Sequence, residues 1–263
     1  MKLFFILFFT FISLSAKTYY SKTDPYEIRN ISSNVSGEIK FIDESMIGKK
    51  LTKRVFITID SQLDAQELKF IKTKITILTD NINVNKSMLQ NYNLLLEKKR
   101  KNYKQIEHLK IKSRIEKDKE FYDLLTSENA SLNVQKEINN LKTQLQDLNL
   151  RKVQLEKSLQ DKSLQAEGFV LYSLDVKVGQ VVSPATPLAK VADLSKAILT
   201  IYLDAEDFKN IHKKTIYLDE KLTHYKIDRL SKISDTKNIS KYKAQIIIKA
   251  PKLFSKLVKV ELK

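Results

Sequence analysis

No glycine and no proline occurs between residues 61 and 165, although the chain has four of each. The glycines (Gly37, Gly48, Gly168, Gly179) and the prolines (Pro25, Pro184, Pro187, Pro251) all lie on either side of that stretch. These two residues are the strongest breakers of regular structure. Their partition confines turns to the two ends and leaves the middle free to be one helical system.

Within that middle, apolar residues recur at the three-then-four spacing of a coiled coil. One register runs Leu68, Ile71, Ile75, Leu78, Ile82, Leu89, Tyr92, Leu96, Tyr103 and Ile106, with Asn85 and Lys99 at polar seam positions. A second runs Val134, Ile138, Leu141, Leu145, Leu148, Leu155 and Leu159, with Lys152 as its polar interruption. Residues 112–132 fit neither register cleanly. A narrow apolar seam with polar flanks belongs to helices packed on each other rather than to helices buried in a globular core.

The flanking segments decide how those helices are arranged. "SNVSGEIKFIDESMIGKKLTKRVFITID" (33–60) and "AEGFVLYSLDVKVGQVVSPATPLAKVADLS" (166–195) both alternate apolar and polar residues and turn at glycines. They read as two similar half-sheets. If both belong to one domain, the helical excursion must return to where it left, and a hairpin does so where a parallel rod does not. Arms of about forty to fifty residues would project roughly 60–75 Å at about 1.5 Å per residue. Equal arms place the turn near Ser113. Turn chemistry places it at "TSEN" (126–129), where Ser and Asn compete with helix; this second site is favoured, with a break in the longer first arm at "DNINVN" (80–85).

After Ser195 the alternation continues through "KAILTIYL", a short acidic helix start at Asp204–Phe208, and the strands "KYKAQIIIKA" and "SKLVKVELK". Residues 197–263 are therefore expected to form a small β-barrel. At the other end, Lys2, the apolar run "LFFILFFTFI" and the small residues "SLSA" read as a signal peptide over 1–16, cleaved after Ser15 or Ala16. Retention as an anchor is the alternative. The run is shorter than the roughly twenty residues that span a bilayer comfortably.

The chain carries a net charge of +16, which raises nucleic acid as a partner. The excess is scattered lysine, however. Arginine, the usual bidentate reader of bases and phosphates, occurs at six positions only. A solvated basic surface is the better reading, with no nucleic-acid partner. Cysteine is absent, which removes disulfides and thiolate metal or redox sites. His108, His212 and His224 lie in separate segments without ligand-like spacing, and Met46 and Met88 are too far apart to suit soft copper. No phosphate loop, nucleophile elbow or zinc-helix motif is present. No enzyme, cofactor or metal is expected. A lipoyl or biotinyl carrier would need a lysine at a tight turn between the half-sheets, and here "ITIDSQ" opens into the helical excursion instead.

The order of parts resembles the periplasmic adaptor (membrane fusion, HlyD-like) family of bacterial tripartite pumps. The resemblance covers the chain from about Ile31 to its end, and "AEGFV", "VKVGQVV", "TPLAKVADLSKAILTIYL" and "DAEDFKNI" carry it. It implies an α+β fold: a long antiparallel coiled-coil α-hairpin inserted in a split lipoyl-like β-sandwich, followed by the small β-barrel. The expected parts are a signal peptide (1–16), an N-terminal extension (17–30), lipoyl-like half 1 (31–61), the hairpin (62–165), lipoyl-like half 2 (166–196) and the barrel (197–263). Gly37, Gly48, Gly168 and Gly179 would form the lipoyl-like turns. Leu68, Ile75, Ile82, Leu89, Ile138, Leu145 and Leu159 would form the seam.

The resemblance further implies a homo-oligomer, commonly a hexamer. It would link an inner-membrane transporter, RND in preference to ABC, to a TolC-type outer-membrane channel, and would sit in the periplasm, peripheral to the inner membrane through that transporter. Such adaptors carry at the hairpin tip a basic residue, a Leu four later and a Ser or Thr seven after that. Leu124 and Ser131 have this spacing, with Glu120 in place of the basic residue. The larger adaptors' membrane-proximal domain, built from both chain ends, is expected to be missing. The rival reading is an exported structural coiled-coil protein without a transport role.

Overall fold

The structure, a computed structural model, describes residues 17–235, 238 and 240–263, apart from the side chain of His212. The expected signal peptide lies outside the described residues. In chain order the elements are β1 (Lys17–Ser32), β2 (Gly37–Ile42), β3 (Ile57–Ile59), α1 (Gln62–Glu107), α2 (Arg114–Asp161), β4 (Ser163–Leu164), β5 (Val170–Leu174), β6 (Val181–Val182) and β7 (Pro187–Leu203). There follow α3 (Ala205–Asn210), β8 (Ile216–Leu218), β9 (Lys221–Leu222), β10 (Arg229–Ser234), β11 (Tyr242–Lys249) and β12 (Leu257–Leu262). They divide into two compact units. One holds the residues up to Asn34, Phe41–Ile57 and Gln165–Lys263; the other holds Val35–Lys40 and Thr58–Leu164.

The first unit is built on a sheet of order β10-β11-β7-β1-β12-β8-β9, with β5 also pairing with β7. The stretch expected as an N-terminal extension is its second-longest strand. The first part of β1 pairs antiparallel with β12, from Lys17 opposite Leu262 to Lys22 opposite Leu257. The rest pairs with β7, from Thr23 opposite Leu199 to Ser32 opposite Pro187. Sequence reading misses this strand because its inward positions include Ser21 and Thr23, which are small and polar yet buried. Their groups are satisfied: the Thr200 amide donates to Ser21 Oγ at 2.7 Å, and the Lys256 amide to Thr23 Oγ1 at 3.0 Å.

Strand β7 runs unbroken through residue 196, where the second half-sheet was expected to give way to a barrel. The core beside it gathers Leu199, Ile201, Leu203, Ile211, Ile216, Ala244, Ile246, Val260 and Leu262. Among the described residues the strand pairings form an open path, with no pair closing the expected barrel. Asp207 on α3 is buried, and its carboxylate receives Lys214 Nζ at 2.6 Å and the Tyr19 hydroxyl, with Lys17 Nζ at 3.3 Å. Burial works against its charge, but these donors outweigh burial and hold its carboxyl below the usual range. The same unit pairs the two distant half-sheet segments: the Gly48 amide donates to the Leu171 carbonyl at 2.8 Å, and the Leu51 amide to the Phe169 carbonyl at 2.7 Å.

The second unit is the helical hairpin and the strand residues at its base. Strands β4, β3 and β2 are successive neighbours in a second sheet. Within this unit the Ile59 amide donates to the Lys162 carbonyl at 2.9 Å, and the Asp60 amide to the Glu38 carbonyl at 2.8 Å. A Cβ at Gly37 would stand 2.6 Å from Ile59 Cγ2, so the close approach of these two strands requires glycine there. Helices α1 and α2, 46 and 48 residues long, each extend about 70 Å at about 1.5 Å per residue.

Candidate functional site

The hairpin turn lies at residues 108–113, between the end of α1 and the start of α2. The favoured turn at 126–129 is therefore corrected, and the site near Ser113 is the one the chain uses. The reason is local. Ser113 accepts a hydrogen bond from the Glu116 amide, and the Glu116 carboxylate accepts from the Ser113 amide at 2.9 Å, which makes a reciprocal capping box. At 126–129 the hydroxyls do not break the helix. Thr126 Oγ1 donates to the Tyr122 carbonyl at 2.8 Å and Ser127 Oγ to the Asp123 carbonyl at 3.0 Å, each one turn back. Nor does α1 break at residues 80–85, where Asn85 Nδ2 donates to the Asn81 carbonyl at 2.9 Å.

With the turn fixed, the seam is continuous. The α1 residues of the first register are all buried or half-buried. On α2 the same spacing extends back from Val134 through Ser131, Ser127, Leu124, Glu120 and Lys117, all likewise shielded. Leu68, Ile82 and Ile138 are buried, and Ile75, Leu89, Leu145 and Leu159 half-buried. A search for apolar residues overlooks the serines. A search by spacing alone finds them, because Ser127 and Ser131 fall on the heptad and both are buried.

Pairs between the arms confirm the antiparallel register at every level. Near the base, Asp64 receives Ser158 Oγ and Lys162 Nζ at 2.6 and 2.9 Å. Burial opposes its charge, yet these two donors prevail and keep its carboxyl below the ordinary value. Farther out, Arg151 meets Glu67 through two hydrogen bonds of 2.7 and 2.8 Å. Ser131 Oγ donates to Asn93 Oδ1 at 2.7 Å, Lys99 Nζ reaches the Asp123 carbonyl at 3.2 Å, and the Tyr103 and Phe121 rings lie 5.5 Å apart.

Glu120, Leu124 and Ser131 thus sit in the seam of α2, facing the other arm. The surface at the turn is made by other residues. Leu109, Ile111 and Ile115 are exposed there among His108, Lys110, Lys112 and Arg114. Ile111, at 91 % exposure, is the most exposed large apolar side chain described. The signal for this surface lies in "LKIKSRIEK", where the capping pair Ser113 and Glu116 stands among Leu109, Ile111 and Ile115, apolar residues that belong to no seam.

Of the four glycines expected at turns, Gly48, Gly168 and Gly179 have positive φ and open space where a Cβ would go, so backbone conformation rather than crowding calls for glycine there. His108 and His224 are exposed. Among the described residues no group of three or more His, Cys, Asp or Glu could hold a metal ion, and no helix is long and apolar enough to cross a membrane.

No family model and no curated protein matches the chain. Solved structures do. A MacA from Actinobacillus actinomycetemcomitans aligns over 94 % of this chain and 78 % of its own, with a TM-score of 0.71 and 18 % identity. The membrane fusion protein Spr0693 from Streptococcus pneumoniae R6 aligns over 94 % and 98 %, with a TM-score of 0.63 and 10 % identity. A MacA–MexA chimera carrying the α-hairpin domain of Pseudomonas aeruginosa MexA aligns over 94 % and 80 %, with a TM-score of 0.58 and 15 % identity. At such identities the likeness is one of fold. The chain has the membrane fusion protein fold, the one its own sequence pattern resembles.

Proposed function

We propose that the protein is a periplasmic adaptor that links an inner-membrane transporter to a TolC-type outer-membrane channel, for efflux or secretion across the envelope. The observation that carries this reading is a coiled-coil hairpin whose seam spacing runs from base to turn, with an exposed apolar and basic turn, in a chain with the membrane fusion protein fold. In this reading the hairpin is a spacer and its turn the docking end, while the β-rich parts meet the transporter. The role needs binding surfaces and geometry rather than catalysis. The transporter is of the RND or ABC type, with RND preferred, and the adaptor works as an oligomer, a hexamer in the family pattern. The N-terminal segment directs export to the periplasm, and the open sheet of the first unit takes the place of the family's small barrel.

The test is affinity purification of the tagged, cross-linked protein from cell envelopes, alongside deletion of its gene. The expected outcome is co-purification of an inner-membrane transporter and an outer-membrane channel, with loss of efflux or secretion in the deletion strain. Recovery of the chain with itself alone, and unchanged transport in the deletion strain, would favour the exported structural coiled coil instead.

A further inference from the structure

The outer face of strands β10, β11 and β7 gathers positive charge. Along β11 the side chains alternate: Ala244 and Ile246 are buried in the core, while Lys243, Gln245, Ile247 and Lys249 turn to the other side. Residues opposite one another in a ladder share a face. That places Lys196 beside Lys249, and Thr200 and Arg229 on either side of Gln245. Lys196, Arg229, Lys243 and Lys249 are all exposed. The ring of Tyr26, from β1, is shared by two of them, with Lys196 Nζ at 5.8 Å and Arg229 Cζ at 5.9 Å from its centroid. An open groove beside them is lined by Ser195, Lys196, Asp228, Ile247, Ile248 and Lys249.

Lys196 and Lys249 stand directly opposite each other, a position where Cβ atoms are about 4.5–5.5 Å apart and like charges destabilise the sheet. Among the described residues, the side chains of Lys196, Arg229, Lys243 and Lys249 make no ion pair and no hydrogen bond. The Tyr26 ring offsets the repulsion weakly, because two cations share it. The acidic groups nearby have other partners. Asp228 accepts from the Ile247 amide at 2.6 Å, and Asp24, opposite Ile198, pairs with Lys22 at 4.0 Å. Asp193 accepts from the Ser195 amide at 2.8 Å, which chiefly holds its carboxyl below the usual range, and Lys196 adds least to that effect.

We propose that this face is a binding site for a phosphate-bearing anion, held by Lys196 and Lys249 from adjacent strands and by Arg229 across the Tyr26 ring. These three cations beside the one carboxylate of Asp228 leave an excess of about two positive charges, which matches the roughly −1.5 to −2 of a phosphate monoester near pH 7. The guanidinium offers a planar fork for two phosphate oxygens, and each ammonium acts as a point charge. Lys243 lies roughly 20 Å from Lys249 along β11 at about 3.4 Å per residue. It is too far away to share that phosphate, but it extends the field that draws an anion to the groove. A free phosphorylated compound and a lipid headgroup both present this group. The site goes beyond the adaptor reading and needs neither transporter nor channel.

In the test the purified full chain is titrated calorimetrically with inorganic phosphate at fixed ionic strength. In a second arm it is sedimented with phosphatidylcholine vesicles, with and without phosphatidic acid. Saturable binding that depends on phosphate in at least one arm is the expected result. The first arm alone identifies a free phosphorylated compound, the second alone a lipid headgroup, and both together the phosphate group in either setting. Lys196→Gln combined with Lys249→Gln should weaken that binding about tenfold or more, since two charge-assisted contacts are lost. Both residues are exposed, so the fold does not depend on them. Lys69→Gln combined with Lys142→Gln removes the same charge from exposed sites on the hairpin. It should change binding less than about twofold, because distant charges are screened. Binding in neither arm would overturn the proposal. Equal losses in the two double variants would overturn it as well, because net charge rather than this site would then hold the anion.

Discussion

Near its base the hairpin seam is filled by Leu68, Ile71 and Leu155, each less than a tenth exposed, with Ile75, Leu148 and Leu159 packed against them. Toward the turn the same heptad positions on α2 hold Ser131, Ser127, Glu120 and Lys117, with Leu124 the sole apolar residue among them. There the arms are joined mainly by Ser131–Asn93, Lys99 to the Asp123 carbonyl and Arg100–Glu128, with the Tyr103–Phe121 ring contact and the buried Leu96 as the apolar exceptions. Burying a leucine contributes about 1.5–3 kcal/mol, whereas an exposed ion pair contributes about 0.2–1 kcal/mol. One repeat therefore runs through both halves with different consequences. The base half holds the hairpin together, and the half toward the turn keeps register while leaving its arms cheap to separate.

The largest expected effect tests that division directly. Leu155→Ala removes a fully packed side chain at the base and should cost about 3 kcal/mol, the usual range for a buried leucine. Ser131→Ala removes only the donor to Asn93 near the turn and should cost less than about 1 kcal/mol. Urea unfolding followed by helical circular dichroism measures both. Similar losses would mean that the half toward the turn contributes as much as the base, and the comparison would fail.

A smaller effect with the opposite sign lies between the two regions. Asn85 occupies a half-buried seam position and spends its amide on its own helix, donating to the Asn81 carbonyl rather than to the other arm. Asn85→Leu should raise stability by about 1 kcal/mol, part of what full leucine burial provides. A polar seam residue also fixes register, so the gain should come with weaker assembly and reduced transport. A variant that is stabilised and transports normally would remove the register role and leave Asn85 merely tolerated.

These differences also explain what sequence reading recovers here. The two long registers are legible because Leu and Ile mark them at regular spacing, and every expected seam residue from Leu68 to Leu159 is shielded from solvent. The turn is less legible, because Ser and Asn at 126–129 look like helix breakers while the reciprocal pair Ser113 and Glu116 carries the real helix start. A hydroxyl that bonds one turn back costs a long, well-packed helix little, whereas an unfilled helix start needs a cap. Strand β1 is hidden for a related reason. Its inward Ser21 and Thr23 are buried by backbone partners from β7 and the segment before β12, which no local pattern reveals. The tip expectation at Glu120, Leu124 and Ser131 rests on a motif spacing implied by the resemblance; these residues are shielded on α2, and the exposed residues at the turn belong to no repeat.

The smallest effect is confined to that turn and depends on acid. The Glu116 carboxyl is lowered to about 2, first by the Ser113 amide and then by Lys112 and the Ser113 hydroxyl. A carboxylate held below its unfolded value of 4.5 contributes fully above that pH, and the contribution disappears as pH falls through about 2. The capping box should therefore loosen between about pH 4.5 and about pH 2, fraying the first turn of α2. Amide exchange measured over residues 113–120 should accelerate across that window, after correction for intrinsic rates. Ser113→Ala should produce the same acceleration at neutral pH without shifting the main unfolding transition, because the base half carries it. If neither acid nor Ser113→Ala changes exchange at the turn, the turn is fixed by something other than its cap, and the half near it is firmer than its polar seam implies.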